Sequence, residues 1–308
     1  MIQIVEKRKI PFIISSVLFL LSVFFLAVYG LKPGIDFTGG TLMQVRFAAE
    51  RPSSEELQET LASFDVGSVN IQPVEEDGYL LKMRFITEEE HQEILTGLRN
   101  EFSVPSEGEA ATVSVFEERL ETIGPSISSE LQKRSIEVGI AVVLAIVIFV
   151  AYGFRKVSRP VSSWKFGVIA VVALIHDVTI TMGIFALLGH FKGVEIDIPF
   201  IVALLTILGY SVNDTIVVFD RIREKLIQRG YDNFSQTVNT AVNDTLARSI
   251  NTGLTTLLVL VALFFFGGAS IHYFALALII GIVFGGYSSI FLASPLLVSW
   301  ELFEKRKK

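Results

Sequence analysis

No cysteine occurs among the 308 residues, so disulfides, zinc–thiolate centres and thiol catalysis are excluded, while the redox compartment stays open. Charge is sparse as well. Asp, Glu, Lys and Arg make up 19% of the chain against 51% hydrophobic residues, and the mean hydropathy of +0.56 is too high for an ordinary soluble protein. The usual catalytic signatures are missing. There is no Gly-x-x-x-x-Gly-Lys-Ser/Thr loop, so no ATP site is visible, and Gly39-Gly40 is too short for a phosphate loop. In place of the zinc-protease pattern His-Glu-x-x-His there is only His176-Asp177. An intramembrane aspartyl protease needs two membrane Asp residues, one in a Gly-x-Gly-Asp setting. Here Asp214 follows Gly-Tyr-Ser-Val-Asn and Asp177 follows His176. The expectation is a non-enzyme with no cofactor, no metal and no nucleic-acid partner.

What the chain has in abundance is apolar runs. Residues 10–31 carry no charge and are long enough to span a bilayer, which takes about 20 residues. The run ends in Val28-Tyr29-Gly30-Leu31-Lys32-Pro33, a poor cleavage site, so it is read as a retained first transmembrane helix rather than a signal peptide. Five more spans follow, at about 136–154, 166–188, 198–219, 249–266 and 271–300, the last long enough to tilt or to project. Lys7–Lys9, then Arg155, Lys156, Arg159 and Lys165, then Arg221, Arg223, Lys225 and Arg229, then residues 305–308 all fall on one side. The opposite short loops hold Lys192 alone. The positive-inside rule therefore places both termini in the cytoplasm. The loop 221–243 is charged and polar, and a solvated connector is favoured there over a short amphipathic helix around 234–242.

Between the first two spans the composition changes. Residues 32–133 hold 8 basic and 20 acidic residues, and the remainder 18 and 12, so one acidic block is set into a basic membrane protein. Residues 41–47 place Met43, Val45 and Phe47 on one face and Gln44 and Arg46 on the other, the period of a half-buried strand. Residues 53–64 open with a capping box, Ser53 with Glu56, and repeat Leu57, Leu61 and Phe64 at helical spacing. Strands are expected at 69–74 and 79–86, joined by a turn at Glu76-Asp77-Gly78, with Leu81, Met83 and Phe85 on the inner face. A second capping box, Thr87 with Glu90, opens a helix to about Phe102, and 112–118 reads as a fourth strand. The order βαββαβ is the ferredoxin-like pattern. The expected fold is thus a six-helix membrane bundle with an extracytoplasmic α+β domain. Its boundaries are 1–33 for the N-terminus and first helix, 34–134 for the domain, 135–301 for helices two to six and 302–308 for a basic tail.

The polar groups inside these spans are the candidate site. Asn213 and Asp214 interrupt the run 198–224, and a carboxylate near mid-membrane costs about 2.5–3.5 kcal/mol by insertion scales. Such an acid by default faces a bundle interior or a wet path, binding and releasing a proton or cation; the alternative is a helix-to-helix hydrogen bond. Gly209 and Ser211 allow close approach of another helix. Thr245, Arg248, Thr252 and Thr255 recur at three, four and three residues and line one face. Arg248 either snorkels to the cytoplasmic interface or faces Asp214 across the bundle, where protonation of the acid would release it and favour another packing. His176 and Asp177, with Thr181 one turn on, form either a proton relay or a fixed interhelical bond. His272 lies near the outer end of the sixth span, and the small residues of the cluster Gly285-Gly286-Tyr287-Ser288-Ser289 are read as tight packing before chemistry.

Several of these blocks occur together in a known family. Asp36-Phe37-Thr38-Gly39-Gly40, Gly124-Pro125-Ser126-Ile127-Ser128-Ser129-Glu130-Leu131 and Ala173-Leu174-Ile175-His176-Asp177 resemble motifs of the SecF family. So do Gly209-Tyr210-Ser211-Val212-Asn213-Asp214-Thr215, Phe219-Asp220-Arg221-Ile222-Arg223-Glu224, Arg248-Ser249-Ile250-Asn251-Thr252 and Gly285-Gly286-Tyr287-Ser288-Ser289. They run in the family's order along nearly the whole chain. The resemblance implies a subunit of the SecDF protein-export complex, a relative of the RND-type transporters, in the prokaryotic cell membrane. It implies a separate SecD partner, the SecYEG channel alongside, an unfolded exported polypeptide as cargo, lipid around the bundle and the proton or sodium gradient as drive. It carries the ion-coupling acid to Asp214, with Asn213 beside it, and the partnered arginine to Arg248. Two other readings are kept: a scaffold of the translocon whose polar residues only join helices, and an RND-type exporter of small molecules or lipid.

Overall fold

The computed structural model describes residues 2–48, 51–74, 76–102, 115–153, 162–229 and 233–307. The chain divides into two compact units, Pro33–Ser135 and the remainder.

In the first unit a short helix α1 (Ile35–Thr38) leads into strand β1 (Gly40–Phe47), followed by α2 (Ser54–Ala62), β2 (Asn70–Val74), β3 (Gly78–Met83), α3 (Glu88–Glu101) and β4 (Val115–Ile123). The strands lie in the order β2-β3-β1-β4 with every neighbour antiparallel, as the ferredoxin-like βαββαβ order requires. Both predicted capping boxes form, Ser53 with Glu56 and Thr87 with Glu90. Met43, Val45 and Phe47 of β1 are buried with Leu57, Leu61, Leu81 and Leu98. Their outward neighbours Gln44 and Arg46 both grip Glu118, at 2.8 and 2.7 Å, beside an irregularity in the β1–β4 register. Gly40 has φ +126° and a Cβ there would lie 2.6 Å from the carbonyl oxygen of Met83, so glycine is required where β1 starts against β3.

Two expectations in this unit are corrected. The third strand stops at Met83, because Arg84 turns to the carbonyl of Asp65 and to Glu90, and the chain leaves the sheet for the next helix cap. Phe85 therefore faces outward, and Ile86 is buried instead, its N–H on Thr41 Oγ1 at 3.3 Å. The last strand continues to Ile123, past the predicted end at 118; the predicted start at 112–114 lies outside the described residues.

The second unit is helical. A first span α4 (Lys9–Tyr29) is followed by α5 (Pro125–Gly153, whose first turns belong to the other unit), α6 (Ser163–Lys192), α7 (Ile198–Arg229), α8 (Phe234–Phe266) and α9 (Ala269–Ser288). From α9 the chain passes through a π turn (Ser289–Ala293) into α10 (Ser294–Lys307). Among the described residues six helical stretches are long and apolar enough to cross a membrane, the sixth running from Ile271 to Arg306. Small residues set the closest approaches. A Cβ at Gly183 of α6 would meet Ser22 of α4, and Cβ atoms at Gly281 and Gly285 of α9 would meet Ile207 and Ser211 of α7.

The loop 221–243 is not a solvated connector. α7 runs on to Arg229, and α8 already begins at Phe234, with Phe234, Val238, Ala241 and Val242 buried against Val218, Phe219, Ile222 and Leu226. The charged run is part of this packing: Arg221 and Lys225 of α7 pair with Asp244 of α8 at 2.7 and 2.9 Å. The backbone at the N-terminus docks on the same helix. Asn239 and Asn243 bond the N–H groups of Val5 and Ile2 and the carbonyl of Ile2, at 2.9–3.2 Å, and Ile4 and Val5 are buried. Arg155, Lys156, Arg159, Gly230 and Lys308, used above for topology and punctuation, lie outside the described residues.

Candidate functional site

Two carboxylates sit on facing helices and share one source of hydrogen bonds. Asp214 of α7 accepts from Ser249 Oγ of α8 at 2.7 Å through Oδ1, and from Ser289 Oγ of the π turn through Oδ2. Asp177 of α6 is fully buried. Its Oδ2 accepts from Ser211 Oγ of α7 at 2.6 Å and from Ser288 Oγ of α9 at 2.7 Å, and its Oδ1 lies 2.9 Å from His176 Nδ1. Adjacent serines thus serve different acids. Consecutive helix positions point about 100° apart, so the last residue of α9 reaches α6 while the first of the π turn reaches α7. A π turn of this kind is rare and frequently lies at functional sites.

The predicted site residues separate into two groups. Asp214, Asp177 and His176 are in the cluster, with Thr181 bonded to the Asp177 carbonyl at 3.0 Å and Phe19 stacked on the His176 ring. His176 Nε2 is buried with no hydrogen-bond partner among the described residues. Asn213 faces outward, and so does Arg248, which makes no hydrogen bond or ion pair with Asp214 among the described residues. The next residue, Ser249, takes that place. Thr252 and Thr255 bond within their own helix, Thr255 Oγ1 to the Thr252 carbonyl at 3.0 Å, and Thr245 does likewise. His272 bonds the Phe264 carbonyl, away from the cluster. Four serines, 211, 249, 288 and 289, went unrecognised as ligands of the acids. Their signal was present: a serine beside a glycine-lined approach, at the depth of an acid on the facing helix.

Carboxylates held by hydroxyls between helices, Asp177 buried and Asp214 half-buried, suit reversible capture of a proton or small cation. Fold and site together define a multi-pass α-helical membrane protein, an RND-type half bundle with a ferredoxin-like domain after its first span. Residues 105–302 match the family model "Protein export membrane protein SecD/SecF, C-terminal", and residues 24–49 match the SecD/SecF GG motif, which contains the constrained Gly39-Gly40 pair. The protein translocase subunit SecF of Thermobaculum terrenum is 41% identical over 98% of this chain and 94% of its own length. That of Synechocystis is 36% identical over 99% and 96%. The crystal structure of SecDF from Thermus thermophilus superposes with TM-score 0.79 at 34% identity, over 96% of this chain. This chain spans 38% of that SecDF chain. The chain belongs to the SecF family of protein-export membrane proteins.

Proposed function

We propose that this chain is the SecF half of a two-part complex with a SecD partner, working beside the SecYEG channel and drawing on the proton or sodium gradient to assist late translocation of unfolded polypeptide. Both termini lie on the cytoplasmic side and residues 34–134 on the other, as the basic residues at 7–9, 221–229 and 305–308 favour. Lipid covers the apolar faces of α4, α5 and α8, and the partner covers the exposed polar positions Asn213, Arg248 and Thr252. One observation carries the ion-coupling reading. Asp214 takes one hydroxyl from α8 and one from the π turn, so a proton on its carboxyl alters its hold on two helices at once. One charge moved through 100 mV supplies about 2.3 kcal/mol, enough to bias two packings several tens-fold. Arg248, one residue from Ser249, becomes the partner of Asp214 in the alternative packing.

The test is export into membrane vesicles under an imposed gradient. Asp214→Asn keeps the shape and removes titration, and the expected product is inserted, stable protein without gradient response; Arg248→Met gives the same phenotype. Gradient-stimulated export at the wild-type rate in Asp214→Asn would make the acid a helix tie and leave the scaffold reading. Gradient-driven efflux of a small molecule or lipid, with polypeptide export unaffected, would establish the exporter reading instead. Orientation is checked separately, by labelling a cysteine placed near Asp77 with an impermeant thiol reagent in spheroplasts; labelling only after lysis would invert the topology.

A further inference from the structure

Asp214 is given a task by the proposed function, and Asp177, the more deeply buried acid, is not. Joining helices does not require a carboxylate: a buried charge is costly, and apolar or neutral groups hold helices as well. The surroundings of Asp177 instead repeat those of Asp214. Each acid takes one hydroxyl from a facing helix and one from the Ser288–Ser289 pair.

That pair has a second option. Ser288 Oγ also lies 3.2 Å from the Gly285 carbonyl, and Ser289 Oγ 3.1 Å from that of Gly286. A hydroxyl carries one hydrogen, so each serine donates either to its acid or to its carbonyl. Facing an ionised carboxylate, it gives the hydrogen to the acid. Facing a protonated carboxyl, it accepts the acid's O–H and turns its own hydrogen to the backbone. Both protonation states of both acids are therefore accommodated at the junction of α9 with the π turn, where the helix is already wound differently.

We propose that Asp177 is a second titrating group of the transport cycle, coupled to Asp214 through the Ser288–Ser289 pair, so that the two carboxyls titrate as a unit. The inference rests on Asp214 being the ion-carrying acid. Its step is a proton addition alone. The proton taken up by Asp214 sits on Oδ2 and donates to Ser289 Oγ, and the Ser289 hydroxyl, keeping its own hydrogen, turns to donate to the Gly286 carbonyl. Ser288, the next residue back, shares the rearrangement, and the field at Asp177 changes with the charge on Asp214.

The other ionisable groups around Asp177 are few. On its own helix there is His176. On α7 there is Asp214, and Tyr210 is turned towards Gly253 of α8. On α9 the Tyr287 hydroxyl bonds the Pro11 carbonyl and Ser15. The facing helix α4 offers only its end residues Lys9 and Tyr29, the latter stacked on His190. On α10, Glu301 and Glu304 face Lys165.

The test is an infrared titration of protonated-carboxyl bands, on this chain purified with its SecD partner in lipid. Asp177→Asn is expected to remove one carboxyl band and to move the midpoint of the Asp214 band by about one pH unit, the scale at which sites stop titrating independently. Ser288→Ala is expected to keep both bands and move both midpoints. A fixed helix tie predicts otherwise: lower thermal stability, with the Asp214 midpoint unmoved in both variants, and that result overturns the proposal. If Asp177→Asn fails to insert, Ser288→Ala decides alone. An Asp214 band that does not titrate in the wild type removes the ion-coupling reading and this inference together, which separates that failure from an Asp214 band that titrates but does not move.

Discussion

Gly281 holds α9 against α7, and adding one methyl group there should disturb the acids two turns away. A Cβ at Gly281 would lie 2.2 Å from Cδ1 and Cγ1 of Ile207 and 2.8 Å from its Cγ2. Carbon atoms rest about 3.5 Å apart, so Gly281→Ala demands about 1 Å of separation. Ile207 is 1% exposed and lies in one buried cluster with Phe185, Phe200 and Ile282, so any shift of its side chain disturbs that packing. Overpacking of this kind costs about 1–3 kcal/mol. The strain reaches the site because Asp177 Oδ2 is shared between Ser211 of α7 and Ser288 of α9, at 2.6 and 2.7 Å. When the two helices part, Asp177 keeps one of them at most, and Asp214 loses Ser289. Ile207→Ala removes every contacting atom; alone it leaves a cavity costing about 2–5 kcal/mol. The double variant should therefore be more stable than the sum of the single losses by about 0.5–3 kcal/mol, the coupling of residues in contact. Thermal unfolding in detergent gives the stabilities, and gradient-dependent export into vesicles gives the function, lost in Gly281→Ala and regained in part in the double variant. Additive losses, or a Gly281→Ala protein as stable as wild type, would refute this account of the α7–α9 contact.

Three further outcomes are expected. Leu98→Ala, at a fully buried position of the sheet domain, should cost about 2–5 kcal/mol and speed amide exchange throughout β1 and β3; unchanged exchange would place the core elsewhere. Glu90 is held below its usual value of 4.5, first by the Arg84 guanidinium and then by the Thr87 N–H. A carboxylate lowered in the folded state adds stability above about pH 4.5 that is lost as pH falls through its folded value, so Glu90→Gln should flatten the acid side of the exchange profile of residues 78–101. Asn239→Ala with Asn243→Ala removes hydrogen bonds worth about 0.5–1.5 kcal/mol each and should expose residues 2–5 to proteolysis while α8 stays folded.

The strands and helices of the acidic domain were legible because burial there follows simple periods. Met43, Val45 and Phe47 alternate, and both capping boxes sit where a polar residue meets Glu three positions on. Phe85 broke the pattern because its strand ends where Arg84 finds a carbonyl outside the sheet, a long-range event with no local signal. Spans were legible from hydropathy, but their ends were not. The start of α8 buries Thr237 and Thr240 along with Phe234 and Val238, a stripe too polar to read as core until the overhang of α7 is seen to cover it. Asp214 and Asp177 stood out because acids are rare in apolar helices. Their serines did not, since a serine in such a helix commonly satisfies itself on the carbonyl three or four residues back, as Ser129 and Ser299 do. Arg248 drew attention by its charge, yet the next residue in sequence, about 100° round the helix, is the one that faces the acid.

The docking of residues 2–5 has a consequence for how the protein is made. The partners Ile2 and Asn243 are 241 residues apart in sequence. At about 5–20 residues per second, synthesis of the intervening chain takes on the order of 10–50 s. During that interval the first span is already available to the bilayer while Ile4 and Val5 have no cover. The Asn clamp binds main-chain groups, so it constrains the length of the segment before Lys9 more tightly than its side chains. Closure of the clamp is therefore a late event, since it needs α8, the fifth span, in place.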